Sequence, residues 1–428
     1  MNTIDFKLFN NKKWKFRNIK IETEQRYWYN SQRYKREGEW MRKIFLALLF
    51  TCSISNALTL DEAIDQAIEN NSELKSYNQQ VVLSELQLKA DSNLQLPTFF
   101  ASVMENFYNK TPMTKIQNFP ASFKQSNKEF LTLNVGINQT IFTGGQVKNK
   151  IKISKHALQS NKYYYEEMKD EIIAQVIKAY LDVFVASALV DVYKKEYLAV
   201  ESIYNQQQEF FKEGLITKVD LLQSKVRLAE VERSLTEANG NLSISIAKLS
   251  KLIGKNLSKD EKFEKPNINV ENIEDYNDLI NQALNKRSIV SFYKQNIKQS
   301  QLLAEIEKAQ FLPKVFVQAE YLYTSQNPYL EPRSNMLLTI GAQVEFQGIA
   351  PYYKYLQAKS NTQKLKYEFE NLKENIKLEI KTAYENYIMA KQNLKVAEES
   401  LNFAKEYFEL VKQQYDNQLA TNTDLLNA

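Results

Sequence analysis

The sequence predicts a mainly α-helical protein with a small β part, built from long coiled-coil helical hairpins and four β-strands arranged as an internal two-fold repeat. Three observations predict it. Residues 179–224 and 383–428 align without a gap at a constant offset of 204. In both copies apolar residues recur in alternating steps of four and three, as in Ile172, Val176, Ala179, Val183 and Ala186, and again in Leu394, Ala397, Leu401, Ala404 and Phe408. A seven-residue repeat held this long marks a left-handed coiled coil. Finally, nine glycines and eight prolines in 428 residues leave few places for the chain to break.

Taken in order, residues 1–40 read as an extension outside any fold. They hold all three tryptophans and ten of the basic residues against five acids. Residues 41–57 read as a signal peptide, with Arg42 and Lys43, an apolar run from Ile44 to Ile54, and Ser55-Asn56-Ala57 as a small-x-small cleavage site. That run is too short to cross a bilayer as a helix, which takes roughly 20 residues. The single cysteine, Cys52, lies inside it, so the mature chain is expected to hold no disulfide and no cysteine metal site. Through Lys43 the basic surplus is seven, and subtracting it from the formal +5 leaves −2 for the remainder. A main body of that charge carries no nucleic-acid footprint.

Residues 58–254 form the first repeat. A helical pattern runs from Leu60 to about Asn93, and Leu96-Pro97 ends it. Aromatic and β-branched residues from Thr98 to Asn109 predict one strand. Alternation of Leu131, Leu133, Val135 and Ile137 with Thr132, Asn134 and Gly136 predicts a second, with one apolar face. Gly144-Gly145 breaks that strand, and a helix then runs to Gly214. About 65 residues at 1.5 Å each make a rod on the order of 100 Å. A returning helix runs to Gly254, its C-terminal stop. Residues 255–274 read as a connector, and 275–428 as the second repeat. There Leu312-Pro313 echoes Leu96-Pro97 at an offset of 216, two alternating strands follow, and a second long helix begins near Pro351.

Strands of this length suit a tilted membrane span. Four are too few to close a barrel, and open sheet edges do not occur in lipid, so membrane-embedded strands would require several chains to share one barrel. The alternative is a soluble periplasmic coiled-coil adaptor or scaffold without a barrel.

Several motifs in order carry a resemblance across residues 58–428: the signal, Leu58-Thr59-Leu60-Asp61-Glu62-Ala63 with Asn70-Asn71, the Leu-Pro pairs, the Phe-x-Gly strand ends, and the Gly-x-x-Thr-x-x-Asp-Leu-Leu turn. In these the chain resembles the TolC-like outer-membrane efflux protein family. The resemblance implies a homotrimer whose twelve strands form one barrel among outer-membrane lipid, continued by a periplasmic α-barrel. It also implies a periplasmic adaptor protein and an inner-membrane pump as partners, in efflux or type I secretion of small toxic compounds or polypeptides.

By the same resemblance the helix turns close the channel at its periplasmic tip. Asp220 and Asp424 match tip aspartates, Tyr415 the gating tyrosine, and Thr217 and Thr421 the turn threonines. Gly214, Leu215, Ile216, Gln418 and Leu419 match the surface that docks the adaptor. A trimer would turn each aspartate into a charged ring; the plainer reading is that both cap the returning helices. Ala420 and Asn427 stand where the family often has an arginine and a second aspartate, which weakens an ionic latch. Nothing in the sequence implies a cofactor, metal or catalytic residue. His156 is alone on a long helix and reads as a surface residue, and Gly144-Gly145 lacks the Lys-Ser/Thr of a phosphate loop. After Ser224 the first copy continues to Gly254, whereas the second stops at Ala428. The sequence is therefore expected to lack its last helix, and in that form not to assemble a stable trimer.

Overall fold

The computed structural model describes residues 57–428 apart from 116, 118–119, 259–260, 267–274, 346–347 and 418. The N-terminal extension, all of the signal peptide but Ala57, Phe346 and Gln418 therefore lie outside the described residues. The chain divides into two units. In the smaller, Leu58 bridges Phe263, its N–H donating to Lys262 O at 2.7 Å while Glu264 N–H donates to Leu58 O at 3.0 Å. The larger holds Thr59–Asp260 and Lys265–Ala428.

The larger unit opens with α1 (Leu60–Asn70) and α2 (Ser72–Ser92). The sequence reads these as one helix, but the chain breaks it at Asn71, which has ψ 122°. The break is stabilised by Asn71 itself. Its Oδ1 accepts from Glu73 and Leu74 N–H at 2.9 and 3.0 Å, capping α2, while its Nδ2 donates to Leu252 O at 2.8 Å. A side chain that serves three backbone groups at once outweighs one lost turn of helix.

Strand β1 (Thr98–Phe107) then runs out, a small hairpin of β2 (Met113–Lys115) and β3 (Ser122–Lys124) follows, and β4 (Glu129–Phe142) returns. The long helix α3 (Gln146–Lys212) and the returning α4 (Lys218–Ile253) complete the first half. The second half supplies α5 (Tyr276–Lys286), α6 (Ser288–Lys308), β5 (Lys314–Thr324), β6 (Ser334–Gln343), α7 (Ala350–Asp416) and the short α8 (Asn422–Asn427). Both long helices have 67 residues, about 100 Å each. Gly144 and Gly145, at φ 64° and 89°, make the turn into α3, a conformation that side chains with a Cβ disfavour. The sequence did not show the small β2–β3 hairpin, and β6 ends at Gln343, short of the strand pattern that runs to Phe346.

The four main strands form one antiparallel sheet in the order β1-β4-β5-β6, so the central β4–β5 ladder joins the two halves. The register puts Phe99, Val103, Leu133, Val135, Ile137, Tyr321, Leu338 and Ile340 on one face, and Ser102, Thr132, Asn134, Asn138, Gln318, Glu320 and Thr339 on the other. The apolar face is bare: Phe99 is 78% exposed and Ile340 74%. On the polar face Glu320 accepts from Asn134 and Gln318 side-chain amides at 3.2 and 3.0 Å. Two aromatic rings lie across that face on glycines. Phe100 covers Gly136 and Phe316 covers Gly341, so a Cβ on either glycine would come within 2.5 Å of the ring.

The helical core lies along the hairpin and the short helices. Ile172, Val176, Ala179, Val183 and Ala186, the seam the heptads predict, are buried, and so are Val231, Ala238, Ile246 and Leu249 of α4. Each fully buried Ile, Val or Leu contributes roughly 1.5–3 kcal/mol. The same pattern in α7 has a different fate. Leu394 is 61% exposed, Leu401 55% and Phe408 40%, on a helix whose main packing partners among the described residues are α6, α5 and α8. His156 is a correction: it is half-buried, its Nδ1 2.7 Å from Gln295 Oε1 of α6, so it ties two helices instead of facing solvent.

Because ring and backbone both close on Gly136, Gly136→Ala is expected to destabilise the sheet by about 1–3 kcal/mol. A fall in the thermal midpoint of the purified protein checks this, and an unchanged midpoint contradicts it.

Candidate functional site

The two turns that end the long helices are built alike. After α3, Leu215 N–H reaches back to Phe210 O at 2.8 Å and Gly214 N–H to Phe211 O at 3.0 Å, which satisfies carbonyls that a helix end leaves open. Gly214 sits at φ 73° with nothing within 4 Å of a would-be Cβ, so what the position demands is the left-handed backbone and not space. After α7, Leu419 N–H reaches Gln414 O at 2.8 Å, the same bond 204 residues on. Leu215 and Leu419 are 66% and 80% exposed at the two tips, and Ile216 is half-buried.

Thr217 then starts α4, and Thr421 starts α8. Each threonine hydroxyl accepts the N–H of the aspartate three residues on, at 3.3 Å for Asp220 and 3.2 Å for Asp424. Each aspartate answers by accepting the threonine N–H, at 3.0 and 2.8 Å, and the threonine hydroxyl. These are complete capping boxes. Thus Thr217 and Thr421 are the caps proper, and Asp220 and Asp424 close the box from the first turn. The threonine hydroxyl, and after it the threonine N–H, holds both carboxyls below the usual aspartate range. Tyr415 lies half-buried one turn before the second tip.

Sequence reasoning missed a buried pair within the first hairpin. Gln207 is 1% and Ser224 0% exposed, and the serine hydroxyl donates to Gln207 Oε1. The signal was present, because Gln207 falls in the heptad seam between Tyr204 and Phe211, where a polar residue needs a partner. The copies of these two positions are Val411 and Ala428, both apolar. Nearby, Arg227 Nη2 lies 2.7 Å from Glu196 Oε1 across the hairpin.

A second junction was also illegible. Arg287, between α5 and α6, reaches Glu167 of α3 and Glu379 of α7, both at 2.7 Å. Glu167 also accepts Ile289 N–H at 3.0 Å, capping α6 from a different helix. Among the described residues no group of three or more His, Cys, Asp or Glu could hold a metal ion.

A four-stranded sheet leading into a 67-residue helix from each half is the fold of TolC-like outer-membrane channels. It matches the Campylobacter jejuni CmeC outer membrane channel with a TM-score of 0.73 at 19% identity, over 86% of this chain and 79% of that one. The Vibrio cholerae outer membrane protein VceC gives 0.70 at 14%, over 86% and 88%. The open state of the Neisseria gonorrhoeae MtrE outer membrane channel gives 0.63 at 16%, over 86% and 82%. No curated protein matches the chain. Residues 63–255 match the outer membrane efflux protein family. Its members are channels and not enzymes.

Two outcomes are expected at this site. Asp220 has a depressed carboxyl only while folded, so its contribution to the turn is present above the ordinary aspartate range and lost as pH falls through the lower folded value. Thr217→Val should move the Asp220 titration up toward the ordinary value, read from its side-chain carboxyl carbon shift. In the hairpin, Ser224→Ala should cost about 1–3 kcal/mol by stranding the Gln207 amide. Adding Gln207→Val, the pair found in the second copy, should recover most of it in thermal unfolding.

Proposed function

We propose that this chain is the exit duct of a tripartite efflux or type I secretion system. In this reading three copies share one twelve-stranded barrel in the outer membrane, and their helices extend into the periplasm to meet an adaptor and an inner-membrane pump. The cargo is small toxic compounds or polypeptides. The observation that carries it is the sheet, which has one bare apolar face, one polar face and two unpaired edge strands, β1 and β6. A face with Phe99 and Ile340 exposed fits hydrocarbon, and the Asn134, Gln318 and Glu320 face fits a wet lumen. Edge amides have no partner in lipid, so the edges call for neighbouring copies. The match of residues 63–255 to the outer membrane efflux protein family and the likeness of fold support the same assignment.

At the other end, the turns supply the gate. With three copies, Asp220 and Asp424 each become a ring of three carboxylates kept ionised by their capping bonds, with Tyr415 just behind them. Such rings favour cations. The tip at Gly214, Leu215, Ile216 and Leu419, to which the sequence adds Gln418, is the surface for the adaptor. The adaptor-like soluble alternative leaves the bare apolar sheet face without a role.

Fractionation tests the assignment: the protein should require detergent for release from outer membranes, and recovery in the soluble periplasmic fraction would refute it. For the gate, Asp220→Asn with Asp424→Asn keeps an acceptor in each capping box but removes the charge. The cation preference of single channels, read as reversal potential in a salt gradient, should fall; an unchanged potential would remove the aspartates from the gate.

A further inference from the structure

The apolar sheet face ends beside a basic stripe. At the end of β4 a groove is lined by Leu94, Ile141, Phe142, Val147, Lys148 and Leu312. Ile141 is 62% and Leu94 45% exposed, so the wall of this groove continues the bare face of the sheet. From Lys148 at its rim, α3 presents Lys152 and Lys155 at four and seven residues on, one face of the helix, and all three are exposed. None makes an ion pair among the described residues, whereas Lys150 between them turns to the buried Asp91 at 3.2 Å. The stripe spans about 10 Å along the helix axis, comparable with the headgroup zone of one leaflet, and lysine stems can lie along apolar surface while their ammonium groups reach out. The same junction in the second copy exposes Ile349 together with Tyr352 and Tyr353, and tyrosine favours a membrane interface.

We propose that Lys148, Lys152 and Lys155 bind the anionic headgroups of phospholipids in the leaflet that meets the base of the sheet. The proposal rests on the barrel reading above. Each lysine contributes about a five-fold preference for anionic over zwitterionic lipid.

The test is lipid selection by the full chain. The protein is reconstituted in vesicles of phosphatidylcholine and phosphatidylglycerol in equal parts, re-extracted in mild detergent, and its co-extracted lipid is measured by mass spectrometry. Phosphatidylglycerol should be enriched over the vesicle composition, less so at high salt. The variant carrying Lys148→Gln, Lys152→Gln and Lys155→Gln should return to the vesicle composition, while Lys248→Gln, far along α4, keeps the enrichment. Insertion without enrichment, or an unchanged ratio in the triple variant, overturns the proposal alone. Failure of the wild type to insert overturns the barrel reading and this proposal with it.

Discussion

Backbone hydrogen bonding governs this molecule more than any side chain does. Every strand amide in hydrocarbon must find a carbonyl, and one chain provides that for β4 and β5 but not for the outer edges of β1 and β6. The apolar face is not folded onto a core either, since among the described residues no helix packs extensively against the sheet and Phe99 and Ile340 stand exposed. What remains is a half-finished surface on the sheet and a half-finished seam on α7, where Leu394 and Leu401 stand exposed. In the proposed trimer the open sheet edges would pair with neighbouring copies.

Much of this was written locally. Period-two alternation fixed which residues of β4, β5 and β6 share a face, because a strand's side chains have no other choice. The heptads located the buried seam of α3, and Gly214 and Gly254 marked helix ends through the left-handed backbone they permit. The turns were legible in their threonines and aspartates, although the division of labour between them was not. That depends on which atom faces which amide.

What escaped was long-range. Asn71 looks like any polar residue in a helical run until Leu252, 181 positions later, supplies the carbonyl that rewards breaking the helix. Arg287 gains its meaning from Glu167 and Glu379, on two other helices. Phe100 over Gly136 needs the strand register before the pairing can be seen. Periodicity reports which way a side chain points along its own element, and it is silent about partners brought close by topology.

Asn71 and Arg287 occupy the same place in their respective copies, 216 residues apart. In the first copy the residue caps its own helix, and Glu73 N–H is satisfied from within. In the second, the equivalent Ile289 N–H is satisfied by Glu167 from the first copy, and the arginine that replaced the asparagine holds that glutamate in place. The first half is thus self-sufficient at this point while the second borrows from it. A protein assembled from two first halves would lose this tie between them, so the sequence symmetry of the copies hides a one-way dependence at this point.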